Sequence, residues 1–289
     1  MTEVDQMIKY FKCSEVNENA IYEAFKIGFS DYIIQLEMPK DFFIKRFFGA
    51  EGNQLENSVI ALDDDKPVGL NLGGIKNYEG VKTLRCGALC IHPDYRGTEV
   101  AKTLFKLHKE IAIENNCKQL FLEVIVGNDR AINFYKKNGY EKVYDIFYFS
   151  HSNPSEINAA LQNDLRIEKV DMDVIKTLYP VIQDIHINWQ NDFDYISQVE
   201  GQAHYGVFKG EKLVGGLVIH TKGKISFLWV SPELSHQGIA KALLNRAVKD
   251  LNITKLSINF PNNAKLLGFV KHLNFTRDQI SQYEMYKTF

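Results

Sequence analysis

The chain has 289 residues, enough for one large or two ordinary domains. Its apolar share of 45% and charged share of 24% fit an ordinary soluble globular protein and leave little room for a disordered one. A net charge of -2 gives no general attraction to nucleic acid or to an anionic membrane surface.

The opening stretch MTEVDQMIKYFK is charged and has no long apolar core, so no secretory signal is expected. No run approaches roughly 18 uninterrupted apolar residues, the length of a spanning helix. Residues 16–48 carry helical periodicity, first through Val16, Ala20, Ile21, Ala24 and Phe25, then through Phe42, Phe43 and Phe47. The segment FSDYIIQLEMPKD, with Pro39, breaks the two runs. Residues 57–63 and 67–76 read as strands joined by Asp63-Asp64-Asp65-Lys66, a hairpin pattern. A third strand spans 82–91, where Cys86 and Cys90 fall on one face and read as core. The segment 98–115 predicts an amphipathic helix, with Val100, Ala101, Leu104, Leu107, His108 and Ile111 on one side. A buried strand over 118–126 and a short helix over 131–138, closed by Gly139, follow. A strand over 141–149 ends this half.

The polar stretch 150–165, with Pro154, reads as a connection that turns partly helical after Ser155. The same order of elements then returns. A helical run over 172–189 precedes strands near 203–209, 212–221 and 224–230. A helix over 236–250, a strand over 254–260 and a helix over 263–272 complete it. The two core motifs start roughly 140 residues apart, about one ordinary domain. The expected division is a first domain over 1–150, a linker over 151–165 and a second domain over 166–289. Cys13, Cys86, Cys90 and Cys117 form no C-x-x-C pair and no His cluster at zinc spacing stands beside them. A reduced, cytoplasmic protein without a metal is the expectation.

The stretch from Cys90 to Tyr140 is the most informative. Strand, tight turn, helix and strand lead to Asn128-x-x-Ala131-x-x-Phe134-Tyr135-x-Lys137-x-Gly139-Tyr140. That order resembles the acyl-CoA-binding core of the GNAT family of N-acetyltransferases, and a weaker copy lies at 229–275. The resemblance implies an α/β protein of two tandem GNAT-like domains, each a mixed central β-sheet flanked by helices. It implies acetyl-CoA as co-substrate. Its phosphate-binding pattern, Q/R-x-x-G-x-G/A at a strand-to-helix turn, falls on Arg96, Gly97, Thr98, Glu99, Val100 and Ala101. A helix N-terminus offers free N–H groups to a pyrophosphate, and small residues allow close approach. Glu99 stands where glycine is usual, and a carboxylate there repels the pyrophosphate unless it points away. Lys102 follows in the same turn. Leu89 and Ile91, on the preceding strand, would pair with the pantetheine arm through their backbone. In the second copy Ser235, His236, Gln237, Gly238, Ile239 and Ala240 match, with Ser235 replacing the leading Gln or Arg.

Acetyl transfer to an amine needs a base for the ammonium and an acid for the departing thiolate. Glu123, inside the apolar FLEVIVG, and Tyr135 resemble the general base and general acid of the ribosomal-protein N-terminal acetyltransferases. The alternative readings are a solvent-facing Glu123 and a core Tyr135. Asn128 reads as a cofactor contact or as the cap of the following helix. An ungapped alignment puts Ile258 opposite Glu123 and Val270 opposite Tyr135, so the second half carries no proton-transfer pair. By the resemblance the acceptor enters near the first helices, where Phe29, Asp31 and Tyr32 would suit a cationic amine. The expected partner is a small-molecule or peptide amine, with no nucleic acid and no membrane, on a monomer or homodimer. A non-catalytic acyl-CoA-binding or regulatory protein, and another acyl or aminoacyl transferase on the tandem fold, are the competing readings.

Overall fold

The structure is a computed structural model describing residues 8–161, 164–182 and 185–289. Strand β1 (Lys9–Lys12) leads to α1 (Glu18–Gly28), whose cap Asn17 accepts from the Ala20 N–H at 2.9 Å. Helix α2 (Lys40–Lys45) begins after Pro39 and runs into a π-type turn, Arg46–Ala50, kinked at Gly49. The hairpin β2 (Val59–Asp63) and β3 (Lys66–Tyr78) precedes β4 (Val81–Ile91), α3 (Val100–Glu114), β5 (Gln119–Ile125), α4 (Asp129–Lys137) and β6 (Glu141–His151). The second half opens with β7 (Leu165–Lys169), α5 (Met172–Lys176) and α6 (Phe193–Ile196). It continues through β8 (Gln202–Lys209), β9 (Lys212–His220), β10 (Lys224–Val230), α7 (Ile239–Leu251) and β11 (Leu256–Pro261). Helix α8 (Ala264–His272) and β12 (Thr276–Thr288) close the chain. Among the described residues, no helix is long and apolar enough to cross a membrane.

Contacts divide the chain into two units: unit 1 runs up to Val143 and takes in Tyr283–Phe289, and unit 2 is Tyr144–Gln282. This differs from the expected split at 150 with a linker over 151–165. The cut falls inside β6, and the last residues of β12 belong to unit 1. The physical reason is burial: Met285 is 0% exposed and sits in the unit 1 core with Leu104, Ile111 and Leu122.

The unit 1 sheet has the order β1-β2-β3-β4-β5 followed by the end of β12. Pairing is antiparallel as far as β4, and β4 and β5 are parallel. Helices α3 and α4 cover one face through Leu104, Ile111, Ile132 and Tyr135, packed on Leu84, Leu120 and Leu122. Helices α1 and α2 cover the other through Ile21, Phe25 and Phe43, packed on Ile60, Leu70 and Leu72. In unit 2, β11-β10-β9-β8-β7 continue in order from the Tyr144–His151 part of β6. Leu243 and Ala247 of α7 pack on one side of that sheet, with Ile175 of α5 and Phe193 of α6 on the other.

Four local expectations change. Cys86 and Cys90 do not share a face, because Leu72 pairs Ala88 while Gly73 pairs Cys86, leaving Gly87 as a bulge. Cys86 therefore packs under α3, and Cys90 packs with α1 and α2. The helical run over 172–189 is divided into α5 and two 3-10 turns, Tyr179–Val181 and Trp189–Asn191; Pro180, with no N–H to donate, sits in the first. Gln183 and Asp184 of that run lie outside the described residues. The segment 150–165 holds only the 3-10 turn Pro154–Glu156 among its described residues, and β7 starts at Leu165. Strands β1, β7 and β12 were not foreseen.

Candidate active site

In unit 1 the parallel strands β4 and β5 pair only from Thr83↔Gln119 to Cys86↔Leu122. Beyond the Gly87 bulge, Ala88–Ile91 remain bonded to β3, and no pairing to β5 occurs among the described residues. The strands thus part at Cys86 and Leu122. A Cβ on Gly87 would collide with Asn53 Oδ1, so only glycine fits the bulge with the 51–57 segment against it. Leu89 and Ile91 lie on the stretch of β4 that has left β5, where an extended amide-bearing arm could add to the free edge.

Glu123 is the first β5 residue past the last pair. Its side chain is 2% exposed, and Oε2 accepts from Arg85 Nη2 at 2.8 Å. Arg85 turns its other nitrogen to Glu51 Oε2 at 2.9 Å, and Glu51 also meets Arg46 at 3.3 Å. Glu123 Oε1 is buried and accepts no hydrogen bond. Burial raises the Glu123 carboxyl from about 4.5 to about 7; Arg85 opposes the rise, and Glu284 and Glu51 add to it. Burial also pushes Glu51 up, but Arg85 and Arg46 together hold it below its ordinary value. Glu123 is therefore the weak acid of the group. It is neither solvent-facing nor an ordinary surface carboxylate, and it is half-deprotonated where a general base is most useful.

Tyr135 approaches the same point from the opposite face. It packs among Phe105, Phe134 and Tyr140 under α3, and its hydroxyl lies beside Cys86, the last paired residue of β4. Burial raises its hydroxyl well above the usual phenol range, so it stays protonated and able to donate. Glu123 and Tyr135 thus flank the place where β4 and β5 separate.

The turn before α3 departs from a simple phosphate cradle. Gly97 takes φ 81, whereas Glu99 takes φ -74 and serves as the helix cap residue without a side-chain bond. The Glu99 carboxylate leans onto Lys102 Nζ at 2.6 Å, both largely exposed. Thr98 Oγ1 donates to the Tyr95 carbonyl and accepts weakly from the Val100 N–H at 3.4 Å. Val100 is core, and Ala101 is half-buried against it. Arg96 is engaged: Nη1 and Nη2 clasp Asp31 at 2.5 and 2.6 Å, and Nε donates to the Ile91 carbonyl. Arg96 lowers the Asp31 carboxyl to about 2.

The expected acceptor residues are thus brought to the turn and to α4. Asp31 is paired with Arg96, and Phe29 packs between Phe25, tilted at 4.8 Å, and Tyr32, edge-on at 4.9 Å. Tyr32 lies beside Asn128. Asn128 itself caps α4, accepting from the Ala131 N–H at 3.3 Å. Arg85 and Glu51 were missed in the sequence. An arginine inside the apolar TLRCGALCI was the available signal for Arg85; nothing marked Glu51.

Unit 2 repeats the frame without the acid and base. Strands β10 and β11 pair only at Lys224↔Ser257 and Ile225↔Ile258 before parting. Contrary to the ungapped alignment, Ile258 stands in the last pair and packs on the α7 side as Leu122 packs on the α3 side, so Asn259 is the residue at the place of Glu123, while the buried apolar Val270 takes the place of Tyr135. His236 and Gly238 take φ 63 and 76 in the turn before α7. A cavity of about 770 Å³ opens there, lined by that turn, β10, β11, α8, Ile182 and residues of the segment 185–191. The proton-transfer candidates and this large cavity therefore lie in different units.

The chain matches the model of the Acetyltransferase (GNAT) family twice, over residues 19–140 and 172–275. It is 24% identical over 156 residues to an N-alpha-acetyltransferase 30 of Dictyostelium discoideum, covering 47% of this chain and 83% of that protein. It is 41% identical over 51 residues to a putative ribosomal protein bS18 alanine N-acetyltransferase of Bacillus subtilis, covering 18% and 34%. Among solved structures, a tandem GNAT protein from the clavulanic acid biosynthesis pathway superposes with TM-score 0.70 at 11% identity, covering 98% of both chains. A GCN5-related N-acetyltransferase from Sphaerobacter thermophilus gives TM-score 0.69 at 13% identity, covering 99% and 97%. These structural likenesses are ones of fold.

Proposed function

The chain belongs to the GNAT family of acetyltransferases, and from that premise we propose that unit 1 transfers an acetyl group from acetyl-CoA to a primary amine of a small molecule or peptide. One observation carries the reading: Glu123 and Tyr135 converge on the two sides of the point where β4 and β5 part. Acetyl-CoA supplies the acyl group as a thioester. The free edge of β4 at Leu89 and Ile91 would hold its amide arm, and the turn Arg96–Lys102 would face its phosphates. Glu123 takes the proton of the attacking ammonium, directly or through water. The new N–C bond forms as the C–S bond breaks; the Tyr135 hydroxyl gives a proton to the departing sulfur and is restored by the second proton that the acylated nitrogen sheds. No step needs a metal, because a thiolate is already a good leaving group. The cytoplasm is the proposed location.

Thiol release from acetyl-CoA, followed across a panel of small amines and N-terminal peptides, tests the reading. At least one amine should raise the rate well above hydrolysis, and kcat/KM should climb with pH through about 7 as Glu123 ionises. A second reading, acyl-CoA binding without turnover, is favoured by the unit 2 cavity beside Gly238, with no acid–base pair. A thermal shift with acetyl-CoA and no thiol release with any amine would select it.

A further inference from the structure

We propose that Glu284 is a positioning residue of the unit 1 reaction: it stands opposite Glu123 across β5 and β12, and the buried carboxyl pair governs when Glu123 can take a proton. The inference rests on the reading of Glu123 as the base and adds a second group to it. Register brings the two together. The Phe289 N–H donates to the Lys118 carbonyl at 3.2 Å, and the Tyr286 ring meets Phe121 with centroids 4.9 Å apart. Three residues back along β12 thus match three forward along β5, so these neighbouring strands run antiparallel. The same count sets Met285 against Leu122, and both lie in the core on the α3 side. Glu284 then falls opposite Glu123, on the face that Phe121 and Tyr286 share. Residues directly opposite carry Cβ atoms about 4.5–5.5 Å apart.

Both carboxyls are withdrawn from solvent: the Glu123 side chain is 2% exposed and Glu284 is 0% exposed. The elements around them bring further charged and titratable groups. Arg85 comes from β4 and Glu51 from just past the π-type turn. Tyr78 comes from β3, Glu79 follows it, and Tyr286 comes from β12 itself. The Tyr286 hydroxyl donates to Glu284 Oε2 at 3.4 Å. Arg85 divides its guanidinium between Glu51 and Glu123, while Arg46 meets Glu51. Three buried carboxyls thus share two guanidiniums, and ionising all three leaves excess negative charge away from water. Burial and the Glu284 charge both favour a proton on Glu123, against the pull of Arg85. A proton arriving at Glu123 relieves the repulsion across the strands. Glu284 therefore makes Glu123 a stronger base than Arg85 alone would leave it.

Glu284→Gln keeps the size and most hydrogen bonding but removes the charge, and the full chain offers two readouts. The first needs no substrate: the infrared carbonyl band of a protonated carboxyl, followed against pH in wild type, Glu123→Gln and Glu284→Gln. The wild-type band should vanish through about pH 7 and be missing from Glu123→Gln. In Glu284→Gln it should vanish about 1–2 pH units lower. The second readout is kcat/KM for the accepted amine. Its rise should move down by the same interval and reach a lower plateau, because a weaker base takes the proton less readily. Glu284→Asp restores the charge and should bring both midpoints back toward wild type. A Glu284 that only supports the fold would cost stability and rate without moving either midpoint. If the glutamine chain does not fold, Glu284→Met, which needs no polar partner, makes the same charge loss. An unmoved infrared midpoint in the folded variant overturns the proposal, as does a wild-type chain with no such band below about pH 7. A band that moves while the kcat/KM profile stays in place upholds the pairing and overturns the reading of Glu123 as the base.

Discussion

A carboxyl that ionises near 7 beside a buried guanidinium behaves unlike a surface glutamate, and both catalysis and stability should show it. Glu123→Gln keeps the shape but removes basicity, so the rise of kcat/KM through about pH 7 should vanish while acetyl-CoA affinity holds. The sign for stability follows from the raised value. The folded chain binds a proton the unfolded chain has released between about 4.5 and about 7, so native stability falls as pH rises through that window. Urea midpoints of wild type minus Glu123→Gln should decline across it and flatten above. Tyr135→Phe removes one hydroxyl and little packing; kcat should drop by about 10²–10⁴ with a small change in the KM for acetyl-CoA. Unchanged turnover would remove Tyr135 from the chemistry. Glu99, exposed beside Lys102, puts negative charge at the turn. Glu99→Gln should lower the KM for acetyl-CoA about two- to fivefold at low salt, less at high salt. At this scale the sequence was informative where a polar residue interrupts an apolar run, as at Glu123. It was silent on pairing: that Asp31 is clasped by Arg96, and Glu51 by Arg85, depends on contacts 65 and 34 residues apart.

The strand–turn–helix–strand cores of both repeats were legible because their apolar periods are long and end in turn residues. Three strands were not. β1 and β7 are short, and β12, TRDQISQYEMYKT, is mostly polar with only Glu284 and Met285 classed as fully buried, so its pattern is weak. The Gly87 bulge was also hidden, since a bulge reverses the faces of Cys86 and Cys90 without any change in composition. β12 matters most for the site. Its end lies beside β5 and puts Met285 in the core on the α3 side, while Glu284 raises the Glu123 carboxyl. Met285→Ala should cost about 2–5 kcal/mol in chemical denaturation. A melting curve equal to wild type would show that this strand end is not part of the unit 1 core.

At the scale of the whole molecule, the tandem repeat was readable from sequence, but the division was not, because unit 1 includes the chain's last strand end. A chain ending at 155 therefore lacks Met285 and its neighbours, and its failure to fold would say nothing about unit 2. Function has to be dissected by point changes in the full chain. The central claim is that acetyl transfer is carried by the pair at the β4–β5 parting in unit 1. The most direct measurement is the amine-dependent thiol-release rate of the full chain carrying Glu123→Gln with Tyr135→Phe, beside wild type, at saturating acetyl-CoA and pH 8. The account predicts a wild-type rate that depends on the amine and a doubly substituted chain at background. Retention of the wild-type rate by the doubly substituted chain would contradict it.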